Sequence, residues 1–87
     1  METRIAIIGI FVYKIESAYK INELLHEYNQ YIIGRMGIPY KDKQVSVISI
    51  IVDGPNDIIG ALSGKLGMVE GVSVKALYSK KKWITNN

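Results

Sequence analysis

Two periodicities alternate along the chain. From Arg4 to Tyr13 almost every position is apolar and most are β-branched, the pattern of a strand buried on both faces. Ala18, Ile21, Leu25 and Tyr28 then recur at the spacing of one helix face, with Leu24 beside them and Lys20, Glu23 and Glu27 on the other side. Ser17 or Glu16 is placed to cap that helix. Tyr31 to Ile38 reads as a second strand, whose Gly34 and Gly37 point to a bulge and which Pro39 ends. A polar loop, 40–43, leads into a third β-branched strand, Gln44 to Asp53, and so short a connection makes a hairpin. Pro55 just inside its start and Gly67 just past its end frame a second helix with the stripe Ile59, Leu62 and Leu66. Gly71 opens a fourth strand, Val72 to Ser79, in which Val72, Val74 and Ala76 alternate with Ser73 and Lys75.

The order β-α-β-β-α-β predicts an α+β, ferredoxin-like βαββαβ sandwich: a four-stranded antiparallel sheet with two helices on one face. Its usual strand order, 4-1-3-2, places strands one and three in the centre, and these are the two strands that are apolar on both sides. Two helices cover one face only. The other face, expected to carry Ile5, Ile7, Phe11, Val45, Val47 and Ile51, then needs a partner, and a homodimer or homotetramer follows.

Length and composition narrow the chemistry. The 87 residues make one domain, residues 1–79, followed by a basic C-terminal tail, residues 80–87. The chain has no cysteine and one histidine, which removes disulfides, thiolate metal sites and cysteine nucleophiles and leaves little for a metal to hold. Of the +3 formal charge, Lys80, Lys81 and Lys82 supply all, because the remaining eight basic side chains balance eight acidic ones. A neutral body argues against direct nucleic-acid binding. Strand three also lacks the stacking aromatics that an RNA-recognition domain of this topology needs. The apolar run Ile5 to Val12 is too short to cross a membrane, and with no export signal a cytoplasmic location is expected.

Candidate site residues are few. His26 has Asn22 and Gln30 at i−4 and i+4, which suits a solvated helix face better than a metal site. GALSGKLG (Gly60 to Gly67) has a superficial phosphate-loop look but the wrong glycine spacing and Leu66 at the Ser/Thr position; its glycines read instead as a thin, closely packed helix surface with Gly67 as the terminating residue. Asp53-Gly54-Pro55-Asn56-Asp57 sits at a strand-to-helix turn, where capping or an anion contact is open. Arg35 is either an edge-strand guard or a carboxylate or phosphate contact. Arg35, Asp53, Asn56 and Asp57 are therefore the candidate ligand-binding set. No nucleophile has a base beside it, so no catalysis is expected; no metal site and no cofactor is identified.

Three blocks, RIAIIGIFV, YIIGRMGIPY (Tyr31 to Tyr40) and DGPNDIIGALSGKLGMVEGVSVKALYSK (Asp53 to Lys80), resemble the small proteins called iron-only hydrogenase system regulators, over about residues 4–80. The resemblance implies an ACT-like ferredoxin fold related to the C-terminal sensor domain of nickel-responsive regulators, assembled as dimers or tetramers. Those sensors hold nickel with several histidines and a cysteine, so their metal site does not carry over. Their N-terminal DNA-binding domain is not expected either, since the first strand starts near Arg4. Amino-acid-binding ACT domains carry Asp and Gly in the loop after strand one; Tyr13-Lys14-Ile15-Glu16-Ser17 has neither. The expectation is a free-standing oligomeric regulatory module that answers to a small-molecule effector or partner protein and touches neither nucleic acid nor membrane. The alternative is a small-molecule or metal-ion binding protein with sites between subunits.

Overall fold

In the computed structural model, which describes residues 1–84, the order of elements is the expected one with a short addition. Strand β1 (Glu2–Val12) is followed by a 3-10 turn (Ile15–Ser17) and helix α1 (Ala18–Glu27); then come β2 (Ile32–Tyr40), β3 (Val45–Gly54), helix α2 (Asn56–Gly67), β4 (Val72–Tyr78) and a two-residue strand β5 (Trp83–Ile84). The sheet order is β2-β3-β1-β4, antiparallel throughout, which is the 4-1-3-2 arrangement. β1 and β3 occupy the centre because only they are apolar on both faces.

Alternation decides what each face meets. Ala6, Ile8, Ile10 and Val12 of β1 and Ile48, Ile50 and Val52 of β3 lie under the helices, packed with Ile21, Leu24, Leu25 and Tyr28 of α1 and its end and with Ile59, Leu62 and Leu66 of α2. The intervening residues of both strands face away from the helices.

Several local details differ from the sequence reading, each for a physical reason. β2 runs through Pro39 to Tyr40. As the outer strand of the sheet it tolerates a residue without N–H, and Pro39 still pairs with Ser46. The expected irregularity is present, between Ile32 and Gly34. Pro55 stands just before α2 rather than within it. Gly67 is the last residue of α2 and has no positive φ: the amide N–H of Met68 still donates to Gly64 O (3.2 Å), and the left-handed turn comes later, at Gly71 (φ +75°). A Cβ on Gly64 would meet nothing within 4 Å and one on Gly60 only the Tyr78 hydroxyl, at 4.0 Å, so the close-packed surface expected of Gly60 and Gly64 is not formed. Ser17 precedes α1, but its hydroxyl does not cap it; it donates to Glu70 O at 2.6 Å.

Beyond Tyr78 the chain turns back on β1. The Ser79 amide donates to Ile5 O (2.8 Å), and the Ser79 hydroxyl accepts from the Ile5 amide (3.2 Å) while donating to Lys81 O (2.8 Å). That turn sets Trp83 and Ile84 against Thr3 and Glu2. Lys81 lies over the Trp83 ring, and Lys82 approaches Glu2 at 3.8 Å. The end of the basic segment, residues 85–87, lies outside the described residues.

Candidate functional site

Two surface features stand out, a groove at one end of the sheet and the sheet's open face.

The register of β1 with β3 sets Val12 opposite Ser46, so the loop leaving β1 and the hairpin joining β2 to β3 come out side by side. Between them is a groove of about 670 Å³. Tyr13, Lys14, Ile15 and Glu16 line one wall, and Pro39, Tyr40, Lys41 and Gln44 the other, over a floor that includes Val12 and Val45. The lining residues combine apolar surface with the polar residues Glu16, Tyr40, Lys41 and Gln44, while the Lys14 ammonium and the Tyr13 hydroxyl are engaged by Glu70 and Ser73 outside the groove. A pocket of this kind suits a small amphipathic molecule.

The β1–α1 wall is pinned from behind. The Tyr13 amide donates to Gly71 O (2.7 Å), Lys14 Nζ meets Glu70 Oε2 at 2.6 Å, and the Tyr13 and Ser73 hydroxyls lie 3.2 Å apart. A side chain at Gly71 would strike Lys14, whose Cγ lies 2.6 Å from the Cβ position. The hydrogen bond and charge of Glu70 raise the Lys14 pKa above its ordinary value, and the same hydrogen bond and charge of Lys14 lower that of Glu70. On the opposite wall Gln44 adopts φ +53°, a left-handed conformation, and its amide donates to Lys41 O at 3.1 Å.

The four residues expected to bind a ligand do not converge within one chain. Arg35 pairs in register with Ile50 and so lies on the helix side of β2, where Nη2 donates to Asn22 Oδ1 at 2.6 Å. It borders a small hollow of about 230 Å³ together with Asn22, Leu25, His26, Asn29 and Ile32. Asp53 pairs with Ile5 on the opposite face of the sheet. Asn56 and Asp57 form the first turn of α2, and Asp57 Oδ1 accepts from the Ile58 amide at 3.0 Å. Among the described residues no three His, Asp or Glu side chains cluster as metal ligands would.

The six residues expected at an interface do share the open face. Ile5, Val45 and Val47 are half-buried, and Ile7, Phe11 and Ile51 are 45%, 44% and 39% exposed. Leu77, Met36 and Ile38 extend the apolar surface onto β4 and β2, and Phe11 stacks on Tyr13 (centroids 6.4 Å apart). The groove went unseen in the sequence because its walls, 13–16 and 39–44, are joined only by the β1–β3 register.

No helix among the described residues is long and apolar enough to cross a membrane. The TM1266-like family model, described as "Iron-only hydrogenase system regulator, putative", matches residues 4–76. Among solved structures the chain is similar to the uncharacterized protein TM1266 from Thermotoga maritima, with 38% identity and a TM-score of 0.86 over 90% of this chain and 99% of that one. A formyltetrahydrofolate deformylase from Pseudomonas putida KT2440 shares the fold over 84% of this chain and 28% of its own, at 11% identity and a TM-score of 0.61. A divalent ion tolerance protein CutA1 from Ehrlichia chaffeensis aligns over 91% of this chain and 84% of its own at 14% identity and a TM-score of 0.49. No curated protein matches the chain.

Proposed function

The chain belongs to the TM1266-like family of iron-only hydrogenase system regulators, and from that membership we propose that it is a non-catalytic regulatory module that works as a homo-oligomer in the cytoplasm. It acts on the hydrogenase system through an effector or a partner protein, without itself contacting nucleic acid or membrane. One observation carries this reading. The sheet face away from the helices leaves Ile7, Phe11, Met36, Ile38, Ile51 and Leu77 exposed on adjoining strands, and a contiguous apolar surface of that kind marks an association site. Light scattering at micromolar concentration tests it: a dimer or tetramer is expected, and a stable monomer overturns it.

The groove supports a second reading, in which the module binds a small amphipathic effector between the β1–α1 loop and the β2–β3 hairpin. Its mixed lining favours this place over the set Arg35, Asp53, Asn56 and Asp57, which could act together only across subunits. Thermal denaturation with panels of nucleotides, carboxylic acids, amino acids and divalent metals is the test. Stabilisation by at least one compound that disappears in Lys41→Glu supports the groove; stabilisation that survives Lys41→Glu removes the groove from the reading.

A further inference from the structure

The open face carries a charge pattern that the oligomer reading does not use. Cross-strand rows can be read from the register. The Ile7 row holds Ile51, Gly34 and Leu77; the Phe11 row holds Val47, Ile38 and Ser73; the Gly9 row holds Ser49, Met36 and Lys75; and Ile5 sits beside Asp53. Across these rows there is one base, Lys75, and one acid, Asp53, both exposed. Neither makes an ion pair or side-chain hydrogen bond among the described residues.

They cannot meet each other within one chain. Lys75 is on β4 and Asp53 on β3, strands that flank β1 on opposite sides, and their β1 partners are Gly9 and Ile5. Two strand spacings and four residues of rise separate them by roughly 16 Å, beyond the reach of a lysine side chain to an ion-pair distance. A charge surrounded by apolar surface is costly to cover unless it finds an opposite charge. A hydrophobic partner seated on this face would bury Lys75 unpaired, whereas a second copy brings its own Asp53.

We propose that two copies of the chain pack open face to open face about a two-fold axis at Ile7, each Lys75 pairing with Asp53 of the other copy. This rests on the oligomer reading above and specifies its contact. A two-fold contact is isologous, so one complementary pair occurs twice. The point midway between Lys75 and Asp53 lies on β1 at Ile7, halfway in register between Gly9 and Ile5. The axis therefore passes through the most apolar row, with Ile7 against its own copy and Ile51 and Leu77 on either side. To exchange the two charged positions the axis must lie across the diagonal that joins them, so the strands of the two sheets cross steeply and do not run aligned. Gly9 and Ser49 leave the row beside the axis low, which gives room for the partner's larger side chains.

Charge inversion tests the contact. Light scattering and analytical ultracentrifugation of Lys75→Asp and Asp53→Lys are each expected to show a dimer dissociation constant raised at least about tenfold, because like charges then face each other twice. The double variant Lys75→Asp/Asp53→Lys is expected to return to near the starting value, and circular dichroism of the single variants is expected to match the wild type. A wild-type chain that stays monomeric overturns the oligomer reading and this contact with it. A wild-type dimer that is indifferent to the inversions, or that the double variant fails to restore, overturns the reciprocal pairing alone and moves association to another surface, such as the outer edge of β2 or β4.

Discussion

At the scale of single residues, backbone conformation separates glycines that look alike in the sequence. Gly71 combines φ +75° with a Cβ position that lies against Lys14. Gly71→Ala is therefore expected to destabilise by about 1–3 kcal/mol, measured by urea unfolding. Gly64, inside α2 with open space around it, is the opposite case: Gly64→Ala is expected to stabilise by about 0.5–1 kcal/mol, since alanine holds a helix better than glycine. A loss of stability at position 64 would show that something packs there. Lys14 and Glu70 give a third residue-level expectation. The Glu70 pKa is lowered from 4.5, so its contribution is present above that value and is lost as pH falls through the folded-state value. The Lys14 pKa is raised from 10.5, so its contribution is complete below 10.5 and is lost as pH rises through the folded-state value. The urea midpoints of wild type and Glu70→Gln should then differ by a small constant amount between those limits and converge in acid. A gap that widens in acid would contradict the pairing. Both groups are exposed, so the gap is small.

At the scale of elements, alternation in β3 makes adjacent residues behave differently. Ile50 is fully buried under the helices, while Ile51 stands on the open face. Ile50→Ala should cost about 2–5 kcal/mol, and Ile51→Ala under about 1 kcal/mol in dilute protein, where association contributes least; similar losses at both would mean that the sheet's second face is covered from within the chain. The same alternation made most of the fold readable from sequence. β1 and β3 announce themselves as central strands by being apolar on both sides, and the irregularity in β2 by Gly34. Other features gave weaker or misleading signals. β5 is two residues long behind three lysines and has no period to detect; it exists because Ser79 turns the chain back against Ile5. Gly67 has the sequence position of a left-handed helix terminator, but Val69 still donates to Leu66 O, so α2 ends in a right-handed turn and the reversal waits for Gly71. Arg35 lies on the outer strand β2, and sequence spacing does not show that the strand's irregularity between Ile32 and Gly34 puts it on the helix side against Asn22.

At the scale of the molecule, the sheet separates two jobs. Its helix side holds the core, its open side the apolar surface proposed for association, and the groove lies at the end where the β1–α1 loop and the hairpin project. The absence of cysteine makes this division testable with one introduced thiol at a time. Face-to-face sheets stack about 10 Å apart, a gap that a short bis-maleimide spans but a disulfide does not. If the two-fold axis runs through Ile7, the Ile7→Cys thiols of two copies face each other across that gap, and treatment with the reagent should convert most of the protein to a covalent dimer. Ala61→Cys, exposed on α2 at the far side of the sheet, should stay monomeric under the same conditions, because its copies are separated by both sheets and both helices. Adding Lys75→Asp to Ile7→Cys should sharply lower the covalent yield, since the inversion weakens association without touching the thiol. Equal cross-linking at positions 7 and 61 would mean that the reagent captures random encounters, and preferential cross-linking at 61 would place the contact on the helices.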